Sequence, residues 1–316
     1  MSLTAEAVLP QARKFDDPYV TAKGEKRASV SLNTLETLWF NTGTLCNLAC
    51  SHCYIESSPS NDDLVYIQTS EVIRYLDELE DQVQIPIEIG FTGGEPFMNP
   101  SFIEMLGECL QRGHRVLVLT NAMRPMMKVA DALLSLQKQW PDQLTLRISL
   151  DHYTPEFHDQ ERGDFSWQKT LPGLTWLVEH NFRLQIAGRT CWDEGEDAIR
   201  TGFAELFKTL GLQLDADNPA DLVLFPEMDE VRDVPEITEA CWGILGKTPD
   251  SMMCSTSRMV VHRKGEDHAR LAACTLLPYD RQFDMGGDLK NAKSTVQLNH
   301  PFCAEFCVLG GASCSA

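Results

Sequence analysis

A regular alternation of short apolar segments with amphipathic ones, from about residue 35 to residue 225, most limits the folds open to this 316-residue chain. The apolar segments are predicted as strands, at residues 36–41, 86–92, 115–120, 144–150, 183–189 and 221–225. The helical patterns lie between them, at residues 70–82, 101–112, 127–139, 167–180 and 197–210. This alternation predicts parallel strands covered by helices, as in an α/β barrel or an open wound sheet.

The number of strand–helix units points to an incomplete barrel. About six units are visible, fewer than the eight of a closed barrel, so we expect a partial (β/α)6 TIM-like barrel. After residue 226 the alternation fails, and Gly, Asp, Pro and Cys become more frequent. We therefore expect a lead-in at residues 1–34, a barrel at 35–228 and a small cysteine-rich extension at 229–316. Within the extension, residues 259–262 and 271–273 predict a hairpin, with Gly265 between them.

The composition is that of a globular enzyme with an acidic surface. Hydrophobic residues make up 43% of the chain and charged residues 23%, which argues against disorder. The formal net charge of -19 disfavours a nucleic acid partner, because phosphate backbones would be repelled. The sequence has no run of 18 apolar residues and no secretion signal, so we expect a cytoplasmic protein without a membrane span.

Eleven cysteines are many for a chain expected in a reducing compartment, where clustered cysteines more often bind metal than form disulfides. Cys46, Cys50 and Cys53 directly follow the first predicted strand, and their spacing lets one loop wrap a metal centre. Three thiolates would leave one iron of a [4Fe–4S] cluster open for a cofactor or a substrate. A zinc site with His52 as a further ligand is the alternative, since thiolate-rich sites suit both metals.

A second motif, GGEP, ends the second predicted strand and consists of Gly93, Gly94, Glu95 and Pro96. Paired glycines let backbone approach a ligand closely, and the glutamate offers a carboxylate acceptor beside it. Taken alone, the motif also suits a tight strand-to-helix turn. Ligands of parallel α/β folds bind at the carboxyl ends of strands, and polar residues stand at these ends elsewhere in the chain: Asn121, Ser149, Asp151 and Arg189.

The CxxxCxxC pattern followed by Tyr54, with GGEP at the end of the next strand, resembles the signature of the radical S-adenosylmethionine (radical SAM) superfamily. In that family the cysteines hold a [4Fe–4S] cluster, and the methionyl amine and carboxylate of S-adenosylmethionine chelate the open iron. One electron then cleaves this cofactor to a 5′-deoxyadenosyl radical that abstracts hydrogen. The resemblance implies the same chemistry here, with a reductant such as flavodoxin or ferredoxin.

The resemblance also implies roles for individual residues. Gly93, Gly94 and Glu95 would accept the methionyl ammonium. Other positions would contact the ribose hydroxyls, the methionyl carboxylate or the remainder of the cofactor: Tyr54, Asn121, Ser149, Asp151 and Arg189. Cys191 is a candidate hydrogen donor to a substrate radical, with an ordinary loop thiol as the alternative. Residues 151–165 are similar to a stretch of the peptide-modifying subgroup, which implies a peptide substrate; a small metabolite is the alternative.

The extension carries five cysteines, Cys254, Cys274, Cys303, Cys307 and Cys314. It is similar to the twitch or SPASM extensions of radical SAM enzymes, which hold auxiliary [4Fe–4S] clusters. The resemblance implies one such cluster, held by the first two cysteines and two of the other three. The spacing departs from the usual form, because Gly265 lies nine residues before Cys274 instead of five. A structural zinc knot is the alternative, and a metal-bearing scaffold without catalysis is the remaining alternative for the whole chain.

Overall fold

The computed structural model describes residues 13–82, 86–229 and 231–311. Its strands are β1 (Ser29–Val30), β2 (Thr37–Asn41), β3 (Glu88–Thr92), β4 (Arg115–Thr120), β5 (Leu144–Ser149), β6 (Arg183–Arg189), β7 (Leu222–Phe225), β8 (Ser257–Val261), β9 (Arg270–Ala272), β10 (Asp284–Gly286) and β11 (Val296–Gln297). Its α-helices are α1 (Thr69–Gln82), α2 (Phe102–Gln111), α3 (Arg124–Met127), α4 (Ala130–Gln139), α5 (Pro155–Arg162), α6 (Ser166–Glu179), α7 (Glu196–Leu210) and α8 (Ala240–Leu245). No helix within these ranges is both long enough and apolar enough to cross a membrane.

A nine-stranded sheet in the order β10-β9-β8-β2-β3-β4-β5-β6-β7 forms the centre of the fold. The strands from β8 to β7 in this order are all parallel, whereas β9 and β10 run antiparallel at one end. In the described part of the chain, no pairing between β7 and β10 closes the sheet. The expected α/β class and the partial TIM-like barrel are therefore confirmed.

The six predicted strands correspond to β2 through β7, each within two residues of its expected bounds. The helix predicted at residues 127–139 is instead two helices, α3 and α4, because the backbone leaves helical geometry at Val129 (φ −116°, ψ 18°). The strand–helix pattern also misses α5, which lies between β5 and α6. Phe157 is the only large apolar residue of that helix, so no apolar periodicity marks it.

The extension contributes a seventh parallel strand to the sheet. Strand β8 pairs with β2, with Thr37 opposite Ser257, and lies at the other end of the parallel set from β7. The expected hairpin is confirmed, because β8 and β9 are antiparallel neighbours and Met259 lies opposite Ala272. The sequence predicts β8 only as one strand of this hairpin, because the pairing of β8 with β2, a segment far away along the chain, leaves no local signal. The domain limits at residues 34 and 228 stay a prediction.

Helices such as α1 cover one face of the sheet because they present an apolar stripe to it. In α1 the residues Val72, Tyr75, Leu76 and Leu79 follow the i, i+3, i+4, i+7 spacing and are all 1% exposed or less. Each side chain of this kind contributes about 2 kcal/mol through burial. Cys109 of α2 lies in the same core.

The opposite face of the sheet is covered near β2 by the extension. Leu38 and Phe40 of β2 pack in the core that contains the helices, whereas Trp39 between them packs with Met259 and Val261 of β8. The lead-in is joined to this region through the pairing of β1 with β11. The cysteine loop follows directly on β2, so both cores fix the strand that carries it.

Candidate functional site

Cys46, Cys50 and Cys53 lie in the loop that follows β2, at the carboxyl end of the parallel strands. All three residues line one cavity, which has a water-accessible volume of about 140 Å³. Backbone amides point at two of the sulfurs: the N–H of Leu48 donates to Cys46 Sγ at 3.4 Å, and the N–H of Ser57 donates to Cys53 Sγ at 3.4 Å. The loop thus places the three cysteines that the spacing singles out around one cavity.

Burial makes the thiols of Cys46 and Cys50 hard to ionise without nearby positive charge. Desolvation raises the pKa of Cys46 to about 12 and also raises the pKa of Cys50. Arg162, which lines the same cavity, acts in the opposite sense on both thiols. A bound metal centre would supply further positive charge, and coordination deprotonates thiols outright.

The GGEP motif holds the end of β3 against the cysteine loop. The N–H of Gly94 donates to Gly43 O at 2.7 Å, and the N–H of Glu95 donates to Leu45 O at 3.1 Å. A Cβ on Gly94 would lie 2.2 Å from the carbonyl oxygen of Leu45, and Gly93 has a φ of +132°, which side chains rarely adopt. The glycines line the cavity, but the closest approach that they permit is of backbone to backbone, and their contact with a cofactor stays a prediction.

The Glu95 side chain is 1% exposed and is used in internal hydrogen bonds. Its carboxylate accepts hydrogen bonds from Thr120 Oγ1 at 2.8 Å, from the N–H of Asn121 at 2.9 Å and from the N–H of Phe97 at 3.2 Å. Burial raises the pKa of Glu95 to about 7. Glu95 is not among the described residues that line the cavity, so it positions the end of β4 there. Its direct contact with a methionyl ammonium stays a prediction.

The other predicted cofactor residues line the same cavity: Tyr54, Asn121, Ser149, Asp151 and Arg189. The last four stand at the carboxyl ends of β4, β5 and β6, as the strand pattern predicts. Asn121 Nδ2 donates to Asn47 Oδ1 at 3.0 Å, which ties the end of β4 to the cysteine loop. The cysteines and the strand-end residues therefore surround a single cavity.

Arg162 of α5 lines this cavity but is absent from the predicted site residues. It donates to Asp151 through Nε at 2.6 Å and through Nη2 at 3.0 Å, a two-pronged arrangement that fixes both side chains. Although burial alone would lower the pKa of Arg162, the neighbouring Asp151 raises it above the usual value. The guanidinium therefore stays charged beside the thiols.

Glu161, the preceding residue of α5, joins the cysteine loop to β6. One carboxylate oxygen accepts the N–H of His52 at 3.0 Å and Arg189 Nη1 at 2.7 Å, and the other lies 2.7 Å from His52 Nδ1. His52 Nε2 lies 3.5 Å from an oxygen of Glu227. Both ring nitrogens of His52 therefore face carboxylates rather than the three thiols. The i, i+3, i+4 spacing of His158, Glu161 and Arg162 is the sequence signal that could have revealed this helix face.

Arg189 keeps one buried donor without a partner in the described residues, its Nε. A buried donor left unsatisfied costs about 1–3 kcal/mol, so this part of the cavity suits an acceptor group on a ligand. Cys191, two residues further on, is half-buried and is not among the described residues that line the cavity. Burial raises the pKa of its thiol to about 11. The role of Cys191 as a hydrogen donor stays a prediction.

Four cysteines of the extension, Cys254, Cys274, Cys303 and Cys307, line a second cavity. They come from the turn before β8, the segment after β9 and a π-helical turn at Cys303–Leu309. The other residues of its wall are apolar: Met252, Met253, Leu276, Leu277, Phe283, Val296, Leu298 and Phe302. Burial raises the pKa of Cys303, and the nearby thiols of Cys274 and Cys254 raise it further. Cys314, the fifth candidate, lies outside the described residues.

Neither cavity gathers its thiols at one point. In the ranges that the structure describes, no three His, Cys, Asp or Glu side chains stand close enough together to hold a single metal ion. Two further cysteines lie apart from both cavities. Cys109 is buried in α2, and Cys241 Sγ accepts a hydrogen bond from the N–H of Thr238 at 3.3 Å.

Residues 40–191 match the family model described as the Radical SAM superfamily. The matched segment begins in β2 and ends just after β6, so it includes the cysteine loop, the GGEP motif and α5. Residues 40–191 are therefore a radical SAM segment, and the resemblance that the motifs carry is confirmed for this part of the chain.

Curated relatives match the same part of the chain. The antilisterial bacteriocin subtilosin biosynthesis protein AlbA of Bacillus subtilis is 35% identical over 143 residues, which cover 45% of this chain and 30% of AlbA. The mycofactocin maturase MftC of Mycobacterium tuberculosis is 33% identical over 137 residues, which cover 43% of this chain and 33% of MftC. The match thus spans about a third of the length of each relative.

Solved structures share the fold over a larger part of the chain. Streptococcus suis SuiB bound to S-adenosylmethionine has a TM-score of 0.59 at 10% identity, covering 80% of this chain and 63% of SuiB. SuiB bound to its precursor peptide SuiA has a TM-score of 0.59 at 11% identity, with coverage of 89% and 67%. Native anSMEcpe with bound AdoMet and Kp18Cys peptide has a TM-score of 0.59 at 13% identity, with coverage of 83% of each chain. At these identities the likeness is one of fold.

Proposed function

We propose that this chain is a radical SAM enzyme that modifies a peptide, by oxidation or cross-linking. One observation carries the proposal: in a segment that matches the Radical SAM superfamily, Cys46, Cys50 and Cys53 share a cavity with the polar residues at the ends of β4, β5 and β6. Ligand sites of parallel α/β folds lie at this end of the strands. The cavity is therefore the proposed site of cofactor cleavage.

The residues of this cavity suit a [4Fe–4S] cluster held by Cys46, Cys50 and Cys53. Three thiolates serve three irons and leave the fourth for a cofactor. The buried guanidinium of Arg162 and the backbone N–H groups at two sulfurs would balance the negative charge of the thiolates. His52 faces Glu161 and Glu227, which disfavours the zinc site with His52 as a ligand.

S-adenosylmethionine is assigned to the same cavity. The backbone at Gly93 and Gly94 and the strand-end side chains would hold its methionyl and ribose groups, and the unpartnered Nε of Arg189 suits the methionyl carboxylate. When bound, the two groups would supply one-electron cleavage of the cofactor and removal of a hydrogen atom from the substrate, with the electron drawn from a donor protein. The residues of the chain orient the cofactor, exclude water and hold the substrate C–H bond close.

A peptide is the proposed substrate class because of what the relatives are named for. AlbA is named as a bacteriocin biosynthesis protein, MftC is named as a maturase, and SuiB has been solved with a precursor peptide. The similarity of residues 151–165 to the peptide-modifying subgroup points the same way. A flavodoxin or ferredoxin is the proposed electron donor.

Anaerobic reconstitution with iron and sulfide, followed by dithionite and S-adenosylmethionine, tests the proposal. We expect 5′-deoxyadenosine and methionine in equal amounts, measured by chromatography and mass spectrometry, because one bond cleavage yields both. Retained zinc, no iron–sulfur absorbance and no 5′-deoxyadenosine would instead identify a metal-bearing scaffold. Turnover of a small metabolite and of no peptide would keep the radical chemistry and overturn the substrate class.

A second [4Fe–4S] cluster is proposed for the cavity of the extension. Cys254, Cys274, Cys303 and Cys307 line it together, which is the number of thiolates that a fully ligated cluster takes. The N–H of Leu276 donates to Cys274 Sγ at 3.4 Å, a contact of the kind that tunes cluster thiolates. In this arrangement no ligand is required from Cys314.

The iron content of a Cys303→Ala variant tests the second cluster. We expect about eight irons per chain in the reconstituted wild type and about four in the variant, since each cluster holds four. Formation of 5′-deoxyadenosine without substrate should stay within about threefold, because the two cavities are separate. Cys241→Ala is the matched control and keeps the wild-type iron content. Unchanged iron in Cys303→Ala, or zinc in the wild type, would contradict the assignment.

A further inference from the structure

The last turn of α5 ends against the middle of the cysteine loop. The last carbonyl groups of a helix lack partners within the helix. Ser51, which lies between Cys50 and Cys53, satisfies two of these groups in α5. Its N–H donates to Glu161 O at 2.9 Å, and its Oγ donates to Gln160 O at 3.4 Å. The loop therefore caps the helix, and the helix in turn holds the loop.

The side chain of Glu161 adds a second set of contacts to these backbone hydrogen bonds. Its Oε1 accepts the N–H of His52 at 3.0 Å and Arg189 Nη1 at 2.7 Å. Arg189 Nη1 also donates to His52 O at 3.2 Å. Glu161, His52 and Arg189 are therefore joined to one another by three hydrogen bonds, so none of the three can shift without breaking at least one of them.

Stability alone is a poor explanation of the ion pair between Glu161 and Arg189. The side chains are 3% and 12% exposed, so both charged groups lose most of their contact with water. The desolvation of two buried charges can cancel their attraction, and apolar residues of similar size often stabilise a protein as well. The geometry that the pair fixes is the better explanation of why a carboxylate stands here.

The two groups that Glu161 joins belong to different parts of the cavity of the N-terminal cysteines. His52 directly precedes Cys53 in the cysteine loop, whereas Arg189 ends β6, and both residues line the cavity. They are 137 positions apart along the chain. Their relative position therefore depends on long-range contacts, and the carboxylate of Glu161 contacts both of them.

We propose that Glu161 is a positioning residue, which holds the guanidinium of Arg189 beside the cysteine loop so that it can bind the methionyl carboxylate of S-adenosylmethionine. This inference rests on the proposed function. Glu161 acts through Arg189 and through the backbone of His52. The methionyl carboxylate keeps its charge while the cofactor is cleaved, so the loss of Glu161 should weaken cofactor binding more than it slows cleavage.

Glu161→Ala and Glu161→Gln test this role in the full-length chain. Before reconstitution, the amides of residues 51–53 should exchange hydrogen about tenfold faster in Glu161→Ala, because a hydrogen bond to a charged acceptor is lost. In the reconstituted enzyme, the KM for S-adenosylmethionine in 5′-deoxyadenosine formation should rise about tenfold, while kcat changes less than about threefold. Glu161→Gln keeps an oxygen acceptor but not the charge, so its exchange should match the wild type and its KM should rise about threefold.

Glu179→Ala is the control, because Glu179 is exposed at the end of α6 and should leave exchange, KM and kcat unchanged. If Glu161→Ala behaves like this control, or lowers kcat at an unchanged KM, the positioning role is overturned. If Glu161→Ala does not fold, Glu161→Gln decides, since an unchanged KM in that variant also overturns the role. Hydrogen exchange needs no cluster. A wild type that forms no 5′-deoxyadenosine therefore refutes the proposed function separately from the effect of Glu161 on the loop.

Discussion

Cys50→Ala abolishes 5′-deoxyadenosine formation in the reconstituted enzyme and lowers bound iron from about eight to about four per chain. We expect this result because three thiols are found among the described residues that line the cavity of the N-terminal cysteines, so each is needed to hold three irons and leave the fourth open. Cys46 and Cys53 cannot replace the lost ligand. The measurements are iron analysis, absorbance in the iron–sulfur region and product quantification under strictly anaerobic conditions.

The control for this variant is Cys109→Ala, which removes a thiol that is 0% exposed in the helical core. Its iron content and its 5′-deoxyadenosine formation should match those of the wild type. A Cys50→Ala protein that keeps both clusters and cleaves S-adenosylmethionine would refute the three-thiolate site. Loss of the iron of the extension as well would show that the two cavities do not load independently.

Gly94→Ala lowers the free energy of unfolding by about 3 kcal/mol and removes most of the 5′-deoxyadenosine activity. The added Cβ would lie 2.2 Å from the carbonyl oxygen of Leu45, and a backbone atom cannot move aside as the end of a flexible side chain can. The loop that carries Cys46 must therefore shift. Denaturant unfolding, monitored by circular dichroism, and the cleavage assay measure the two effects.

Gly195→Ala is the matched control for the glycine variant. Gly195 has a φ of −68°, and a Cβ there would meet nothing within 4 Å. Its unfolding free energy should differ from that of the wild type by less than about 1 kcal/mol. If Gly94→Ala proves as stable and as active as Gly195→Ala, the contact between the GGEP motif and the cysteine loop does not position the site.

Much of the barrel can be predicted from the sequence because its strands are buried and follow one another in the sheet. Strands β2 to β7 are neighbours both in the chain and in space, so apolar periodicity and helix signals locate them. Strand β8 breaks this rule by pairing with β2 across the chain. Helix α5 is not predicted for a different reason. It is held in place by hydrogen bonds between its charged residues and partners in the site, and it has no apolar face that a sequence pattern could reveal.

The residues of the candidate site also fall into two groups, those that the sequence predicts and those that it does not. Spacing and strand ends identify the cysteines, Asn121 and Arg189 as lining residues, because both signals are local. Neither signal reveals that Arg162 lies beside the thiols, since its position depends on a contact with Asp151 that only the folded chain makes. The buried hydrogen bonds of Glu95 are equally invisible in the motif, which specifies a carboxylate but not where it points.

The pairing of β8 with β2 also disfavours aggregation, because it removes an exposed strand edge. All five residues of β2 are buried, and β8 covers the side of that strand which faces away from β3. Without the extension, β2 would present a bare row of amide and carbonyl groups flanked by apolar side chains, a template for aggregation. The extension therefore covers the edge of the strand that carries the cysteine loop and protects that edge from pairing with other copies of the chain.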